Sequence, residues 1–284
     1  MNTNIIKIAD YTNYEELQSS IKGSVMTALD KNGNKVLLKS FIKSDKNKCS
    51  FITDPFEKRL IPKELFFLNH LTDEEYVPKL LNYHDEENFA TVVMEFLDDE
   101  WLDLYELSES YDLSEDNLKI ILRNVILVMY DMCEKGFYHC DIKPENIMVH
   151  EVTLEIKIID FEALCYDKSE NPLLTGPEMG TIGYTSPESC LDGTFDLKQS
   201  LVFSVGCILY SCIERDMPFK SESDTIECQP LEMFTSSLSI ASFIEKCTEW
   251  DPWKRIPFSE LLIDEWFDLT YEMSSNDQSF FTIP

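Results

Sequence analysis

Two short segments of the chain carry residues whose types and spacing could perform phosphoryl transfer. The first is the run HCDIKPEN at residues 139–146, and the second is IIDFE, in which Asp160 follows Asp141 by nineteen residues. A carboxylate such as Asp141 can orient an attacking hydroxyl, while an amide such as Asn146 and a second carboxylate can hold Mg²⁺ on phosphate oxygens. The order H-x-D-x-x-x-x-N followed by D-F therefore supplies the groups that this chemistry requires.

A third segment, GTIGYTSPE at residues 180–188, extends the pattern, and the set resembles the eukaryotic protein kinase family of the serine/threonine type. Residues 94–117 are similar to the hinge region of the PIM and calmodulin-dependent-kinase-like group. The resemblance implies an α+β, bilobal protein-kinase fold that occupies residues 1–284 as a single domain. The small antiparallel sheet lobe with one helix would take residues 1–96 and the mainly helical lobe residues 97–284, including a short tail at residues 271–284.

The resemblance implies roles for five polar residues of the two opening segments. Asp141 would orient the hydroxyl of the substrate, and Lys143 would neutralise charge on the transferred phosphoryl group. Asn146 and Asp160 would hold Mg²⁺, with Mn²⁺ as an alternative ion, since hard cations take oxygen ligands. His139 would hold the loop in place rather than act as a base.

The expected ATP site begins at Lys39, which closes the run VLLK, where the family carries a lysine that binds the α- and β-phosphates. A glutamate on the following helix would hold this lysine; Glu64 is the first candidate and Glu57 the second. Backbone groups of the hinge, which includes Glu95, would bind adenine. The remaining expected ATP contacts are Gly23, Val25, Leu37, Met94, Leu97 and Ile159.

Basic protein substrates are expected for two reasons. Asp103, Glu106 and Glu145 lie where PIM-type kinases carry acidic residues that bind arginine, and Thr181 with Lys143 is the serine/threonine version of the substrate site. The chain has 53 Asp and Glu against 24 Lys and Arg, a net charge of −29. Such a field attracts basic partners and repels nucleic acid and anionic membranes. Solubility alone is the alternative explanation of the charge.

Two departures from the family concern the expected ATP site. The glycine-rich loop corresponds to Gln18, Ser20 and Gly23, of which only the last is glycine. Because glycine lets the backbone approach phosphates closely, ATP should bind more weakly here. Glu162 replaces the glycine of D-F-G and adds negative charge beside the metal. The alternative function is therefore a pseudokinase, a module that binds nucleotide or a partner without catalysis.

Further departures concern the catalytic loop and its support. Cys140 replaces the arginine of H-R-D, which in the family pairs with a phosphorylated residue of the activation loop. Activity independent of activation-loop phosphorylation is therefore expected. Leu201 stands where most kinases carry an aspartate that supports this loop. Glu188 is expected to form a buried bond with Arg255, a feature of kinases that act on proteins, which disfavours a small-molecule kinase.

The composition also indicates the cellular environment of the protein. Nine cysteines lack any C-x-x-C pair or zinc-type spacing, which favours reduced thiols. The N-terminus lacks the basic and apolar regions of a signal peptide. The longest apolar run, residues 201–213, is too short to span a bilayer and is expected to form a core helix. We therefore expect a soluble, intracellular monomer in the cytoplasm, the nucleus or both.

Hydrophobic periodicity predicts strands first and helices later. The predicted strands are residues 24–29, 35–42, 77–83 and 90–96, with a turn at 31–34, a polar loop at 43–50 and a short hairpin at 151–159. The predicted helices are residues 62–71, 118–134, 201–213, 240–248 and 258–264.

Overall fold

The computed structural model describes residues 8–54, 57–170, 172–175, 180–191, 193–227, 231–235 and 237–267. An antiparallel sheet with one helix occupies the part before residue 96, and helices dominate the part after it. The architecture is α+β with a small sheet lobe and a larger helical lobe, as expected. The predicted tail at residues 271–284 lies outside the described residues.

The first lobe is built on a twisted antiparallel sheet. Its strands are β1 Thr12–Ser19, β2 Gly23–Leu29, β3 Lys35–Ile42, β4 Phe51–Thr53, β5 Leu60–Pro62, β6 Leu80–Asp85 and β7 Phe89–Glu95. Five of them form one sheet in the order β1-β2-β3-β7-β6, while β4 and β5 form a separate hairpin. That hairpin leads directly into helix α1, Lys63–His70.

The pleat of this sheet separates a packed face from a face that can carry the site. Met26, Leu38 and Val93 are paired across β2, β3 and β7 and are fully buried, and Leu38 and Val93 pack in one cluster with Tyr11. Since successive side chains of a strand point to opposite faces, their neighbours in sequence point the other way. Lys39 therefore lies on the opposite face of the sheet.

The second lobe combines short hairpins with helices. Its strands are β8 Trp101–Asp103, β9 Phe137–His139, β10 Ile147–His150, β11 Ile156–Ile158, β12 Leu164–Tyr166, β13 Leu173–Thr175 and β14 Thr194–Asp196. Its helices are α2 Leu104–Ser110, α3 Glu115–Glu134, α4 Pro187–Cys190, α5 Leu197–Glu214, α6 Glu222–Glu227 and α7 Leu238–Cys247. Three-residue-per-turn helices occupy Asp45–Ser50 in the first lobe and Pro144–Asn146, Phe258–Ile263 and Glu265–Phe267 in the second.

Helix α5 is the central helix of the second lobe. The carboxylate of Asp196 caps it by accepting hydrogen bonds from the backbone N–H groups of Lys198 and Gln199. In the described part of the chain it is the one helix long and apolar enough to cross a membrane, and 78% of it is buried inside the protein. The prediction of a core helix is confirmed, although the helix has 18 residues and is longer than the predicted 201–213.

The predicted bond between Glu188 and Arg255 is confirmed. Arg255 is 2% exposed and donates to both carboxylate oxygens of Glu188, at 2.7 and 3.0 Å. The same guanidinium donates to the backbone oxygens of Gln199 and Glu249. This planar donor group therefore joins α4, α5 and the segment after α7.

The predicted strands and helices agree with the structure where apolar residues recur at regular spacing. The strand predicted at residues 35–42 coincides with β3, and the helix at 118–134 lies inside α3. The polar loop predicted at residues 43–50 was wrong in part, because Asp45–Ser50 is helical. The buried amide of Asn47 closes this turn by donating to the backbone oxygens of Lys22 and Ile42.

Candidate functional site

Lys39 lies at the centre of the candidate site, on the face of β3 that points away from the Met26–Val93 packing. Its Nζ is 3.0 Å from Oε2 of Glu64 and 2.7 Å from Oδ1 of Asp160. Glu64 occupies the first turn of α1, where the helix N-terminus favours a negative charge, and is only 2% exposed. Glu57, the second candidate, is instead paired with Arg59 on the surface.

Packing places Asp160 beside Lys39. The ring of Phe161 is fully buried, stacked on Phe67 of α1 with ring centres 3.8 Å apart. The backbone N–H of Phe161 donates to Glu64 at 3.1 Å, and Asp160 adopts a φ of 63°. This left-handed conformation is unfavourable for most residues and is held here by the neighbouring contacts. It turns the Asp160 carboxylate toward the ammonium while Phe161 enters the core.

The electrostatics of this trio follow from burial and mutual attraction. Burial alone would lower the pKa of Lys39, but the carboxylates of Glu64, Asp160 and Glu162 outweigh it and raise that pKa. Burial would raise the pKa of Asp160, but Lys39 outweighs it and the pKa is lowered. Burial raises the pKa of Glu64 against the opposing effect of Lys39. Lys39 and Asp160 are therefore both charged at neutral pH.

The second cluster surrounds Asp141 in the loop between β9 and β10. Lys143 Nζ lies 3.4 Å from Oδ2 of Asp141 and donates to Oγ1 of Thr181 at 2.7 Å. The other carboxylate oxygen of Asp141, Oδ1, is buried and, among the described residues, has no hydrogen-bond partner. An unsatisfied buried acceptor of this kind is costly in a structural role, and a substrate hydroxyl would satisfy it.

Two hydrogen bonds to backbone oxygens join the Asp141 cluster to the Lys39 cluster. Asn146 is 5% exposed and its side-chain nitrogen donates to the backbone oxygen of Asp141 at 2.8 Å. The backbone oxygen of Asn146 accepts from Ile159 N at 3.0 Å, one residue before Asp160. His139 contacts both segments: its Nε2 lies 3.1 Å from the oxygen of Ile159, and its Nδ1 accepts from the N–H of Asp141 at 3.4 Å. Its place matches the structural role expected for it.

The expected adenine contacts lie on one face of the first sheet. Val25 is paired with Lys39, and Leu37 is paired with Met94, so these four side chains project from the same face. Met94 is 2% exposed and ends the buried part of β7. Beyond it the chain leaves the sheet at Glu95, and half-buried Leu97 follows in irregular backbone.

Met148 is a candidate site residue that the sequence interpretation missed. It is half-buried in β10 between Ile147 and Val149, both fully buried, and it is paired with Lys157 of β11. Paired residues share a face, and Lys157 Nζ reaches Oε1 of Glu95 in the hinge at 2.9 Å. Met148 therefore faces the hinge. The sequence did carry a signal for this residue, because Met148 lies two residues after Asn146 and between apolar neighbours.

The carboxylate of Glu162 points toward Lys39 rather than away from the site. Its Oε1 lies 3.7 Å from Lys39 Nζ, and its Oε2 accepts a hydrogen bond from Ser50 Oγ at 2.9 Å. Ser50 is buried and also lies 2.8 Å from Oδ1 of Asn47, so its single hydroxyl hydrogen serves one of the two at a time. Glu162 is thus the third carboxylate around Lys39.

Gly23 begins β2 and closes a tight hairpin with Ser20, whose N–H donates to the Gly23 oxygen at 2.8 Å. A Cβ at Gly23 would lie 1.8 Å from the backbone oxygen of Ser40 in β3. The sheet itself therefore requires glycine at this position. Gln18 belongs to β1, where it is paired with Val25.

The acidic residues expected to bind substrate lie beside the loop that carries Asp141. Asp103 caps α2, its Oδ1 accepting from the backbone N–H of Glu106 at 2.8 Å. Glu106 is exposed in the first turn of that helix. Glu145 is exposed in the turn Pro144–Asn146, which packs against α2. Asp103 thus has one oxygen in a structural bond, whereas the two glutamates point to solvent.

The donor set suits a magnesium nucleotide. The Asp160 carboxylate and the Asn146 amide supply oxygens, the ligand type that Mg²⁺ requires, and they belong to segments joined by one backbone bond. Lys39 and Lys143 supply two cations for phosphate oxygens. Asp141, which lies beside Lys143, has a carboxylate oxygen without a hydrogen-bond partner among the described residues. The residues present therefore fit the group that the resemblance implies.

Comparisons with known proteins agree with this geometry. The family model described as "Protein kinase domain" matches residues 11–267. The chain is 28% identical over 268 residues to the mouse PAS domain-containing serine/threonine-protein kinase, covering 93% of this chain and 19% of that protein. It is 31% identical over 165 residues to the serine/threonine-protein kinase pim-2 of Danio rerio, covering 58% of this chain and 52% of that protein.

A further relative is the serine/threonine-protein kinase cds1 of Schizosaccharomyces pombe. It is 29% identical over 256 residues, which is 81% of this chain and 53% of that protein. The chain thus spans between a fifth and about half of the length of these curated relatives. The similarity to a pim-2 kinase agrees with the resemblance to the PIM group.

Proposed function

Because the chain belongs to the protein kinase domain family, we propose that it transfers the γ-phosphoryl group of Mg²⁺-ATP to serine or threonine in basic proteins. The observation that supports this most directly is the pair of linked clusters. Lys39 contacts both Glu64 and Asp160, and the Asn146 bonds connect this cluster to Asp141. A chain of linked polar groups fixes their relative positions before substrate binds.

Each cluster has its own task in this proposal. Lys39, held by Glu64, binds the α- and β-phosphates, while Asn146 and Asp160 hold Mg²⁺ or Mn²⁺, which neutralises phosphate charge. Asp141 accepts the hydrogen bond of the substrate hydroxyl through Oδ1 and positions its oxygen for attack. Lys143, steadied by Thr181, stabilises the charge that develops on the transferred group.

Nucleotide and peptide use different surfaces around this centre. Adenine lies between Val25, Leu37 and Ile159, with hinge backbone at Glu95 and Leu97 as its hydrogen-bonding partner. We add Met148 to these apolar contacts. The hairpin at Gly23 covers the phosphates. Arginine or lysine side chains of the substrate contact the acidic group of Asp103, Glu106 and Glu145 at the start of α2 and beside Asp141.

The proposal includes independence from activation-loop phosphorylation. Cys140 replaces the arginine that would bind a phosphate on that loop, and the Lys39 cluster is already assembled in the unphosphorylated chain. Phosphatase treatment should therefore leave activity unchanged. We also propose that the protein acts inside the cell as a monomer.

The test is transfer of radiolabelled phosphate from ATP to an arginine-rich serine peptide, with Mg²⁺ and then with Mn²⁺. Asp141→Asn is the catalytic control, because it keeps the shape of the side chain and removes the carboxylate. We expect transfer by the native chain and a loss of at least about 100-fold in the variant, the size of a general-base effect. Equal transfer by both proteins would contradict the assigned role of Asp141.

A pseudokinase is the second candidate, and one observation favours it. Glu162 places a third carboxylate near Lys39 and competes with phosphate for that cation. Binding and catalysis are separated by a thermal shift assay with ATP in the presence and absence of Mg²⁺. A metal-dependent shift without any transfer to basic proteins would support the pseudokinase.

A further inference from the structure

Cys140, beside the catalytic Asp141, is folded back toward the strand that precedes it. Its backbone N–H donates to the oxygen of Tyr138 at 3.1 Å, a tight turn over two residues. Its thiol lies 3.5 Å from the same oxygen and is 8% exposed. The turn holds the sulfur against the edge of the ladder formed by β9 and β12.

Cys165 lies on the partner strand of that ladder. It is paired with Tyr138 in an antiparallel register, and Leu164 is paired with His139. The thiols of Cys140 and Cys165 are hydrogen-bonded to each other, and Cys165 is half-buried. A disulfide needs the two sulfurs about 2.05 Å apart, so these thiols must move closer together before they can bond.

The surroundings of Cys165 differ from those of the other buried cysteines. The hydrogen bond from Cys140 lowers the pKa of the Cys165 thiol, and the ammonium of Lys63 acts in the same direction. Burial instead raises the pKa of Cys133 and of Cys212 to about 12. Since the thiolate is the reactive form, Cys165 is chemically distinguished from these two thiols.

We propose that Cys140 and Cys165 form a reversible disulfide when the protein meets a peroxide, and that this bond fastens the catalytic loop to the activation segment. The geometry places the two thiols across one ladder, one residue before Asp141 and five residues after Asp160. In the family, an ion pair between the arginine and a phosphate joins the catalytic loop to the activation segment. The disulfide joins the same two segments. A covalent link thus takes the place left by the missing arginine.

The chemistry has two steps. The Cys165 thiolate attacks one oxygen of hydrogen peroxide, the O–O bond breaks, and the released hydroxide takes a proton to become water, leaving a sulfenic acid. The Cys140 sulfur, after losing its proton, then attacks the Cys165 sulfur, and the S–O bond breaks to release a second water. Two thiols are oxidised by two electrons in total, and one peroxide is reduced to two waters.

The test is peptide mapping of the whole chain after reduction, removal of reductant and treatment with an equimolar amount of hydrogen peroxide. Remaining thiols are alkylated before digestion with trypsin. Cleavage at lysine separates residues 136–157 from residues 158–168, because Lys143 precedes a proline, and each peptide contains a single cysteine. We expect these two peptides to appear as one cross-linked species that dithiothreitol separates.

Three variants make the test specific. Cys140→Ser and Cys165→Ser should each abolish the cross-linked species, and Cys133→Ser, which removes another half-buried thiol, should leave it unchanged. The oxidised native chain should also unfold at a higher temperature than the reduced chain, an effect that dithiothreitol reverses. Alkylation of Cys140 and Cys165 after peroxide, or a lower unfolding temperature on oxidation, would overturn the proposal. None of these measurements depends on phosphoryl transfer, so they stand apart from the proposed function.

Discussion

At the residue scale, three carboxylates surround the single ammonium group of Lys39. Glu64 and Asp160 contact Lys39 directly, whereas Glu162 lies 3.7 Å away and is held by Ser50. The net effect is to keep Lys39 protonated and to bind it firmly when no nucleotide is present. Phosphates must therefore compete for a cation that is already neutralised.

Neutralising Glu162 should improve ATP binding. Glu162→Gln keeps the length of the side chain and removes the charge that competes for Lys39. The side chain is 33% exposed and its attraction is partly screened, so we expect the KM for ATP to fall by about two- to five-fold, corresponding to less than about 1 kcal/mol. Steady-state kinetics at fixed peptide concentration measures the change.

The control for this substitution is Glu87→Gln. Glu87 is exposed in the turn between β6 and β7, so its substitution removes one unit of net charge at a position outside the Lys39 cluster. Equal falls in KM for the two variants would show that the effect is one of overall charge rather than competition at Lys39.

Lys39 should also support folding, with a definite dependence on pH. Its pKa is higher in the folded than in the unfolded protein, so its contribution is complete below the unfolded value of about 10.4 and is lost as pH rises above it. Lys39→Met leaves Glu64 buried without its cation and should cost about 3–5 kcal/mol at neutral pH. Urea unfolding of both proteins should show a large difference near about pH 9 and a smaller one above about pH 10.4.

Lys43→Met is the matched control for that measurement. Lys43 follows β3 and pairs with Asp85 at 2.5 Å in a solvent-exposed setting, so its loss should cost less than about 1 kcal/mol. A Lys39→Met variant as stable as the native chain at neutral pH would contradict the account of Lys39.

Sequence alone predicted the residues of the candidate site but few of the contacts between them. Asp141, Asn146 and Asp160 belong to short motifs whose order carries the chemistry, so spacing was sufficient to select them. The Ser50–Glu162 bond joins residues 112 positions apart and leaves no local pattern. Contacts of this kind depend on how two lobes pack, which periodicity and propensity do not encode.

At the scale of elements, the backbone of β2 approaches that of β3 closely where β2 begins. β2 pairs with β3 from Gly23 to Leu29, and the first pair leaves no space for a side chain on the glycine. The apparent remnant of a glycine-rich loop is thus a requirement of the sheet. Ser20, three residues before Gly23, closes the turn between β1 and β2 with one backbone hydrogen bond to the oxygen of Gly23.

Gly23→Ala should therefore destabilise the first lobe. The new Cβ meets the backbone oxygen of Ser40 at 1.8 Å, so β2 and β3 must separate, which typically costs about 1–3 kcal/mol. Gly193→Ala is the control, since a Cβ there meets nothing within 4 Å among the described residues. Chemical unfolding should show a loss for the first variant and a change within about 0.5 kcal/mol for the second.

Comparison of the strands shows which elements a sequence can reveal. β3 was predicted with its observed bounds because VLLK and SFI are apolar and bounded by turn residues. β1 was missed because TNYEELQS is acidic and mostly exposed, and its strand conformation comes from pairing with β2. An edge strand of this kind is stabilised by its neighbour rather than by its own composition.

At the scale of the whole molecule, the charge of −29 acts on everything that approaches the site. The acidic group of Asp103, Glu106 and Glu145 lies within this field and adds a local attraction beside Asp141. Basic peptides should thus be drawn to the site before any specific contact forms.

The division of the chain near residue 96 stays a prediction, although the five-stranded sheet ends at Glu95 and β8 pairs with β10 of the second lobe.

The dependence of peptide binding on salt tests this field directly. Raising ionic strength from about 0.05 M to about 0.5 M shortens the screening length from above 10 Å to a few ångströms. The KM for an arginine-rich peptide should then rise several-fold, while kcat stays nearly constant because the chemical step occurs among groups that exclude bulk salt. A peptide of the same length with citrulline in place of each arginine should show a high KM that changes little. If the KM values of both peptides rise together, salt acts on the nucleotide or the fold, and the acidic surface does not select basic substrates.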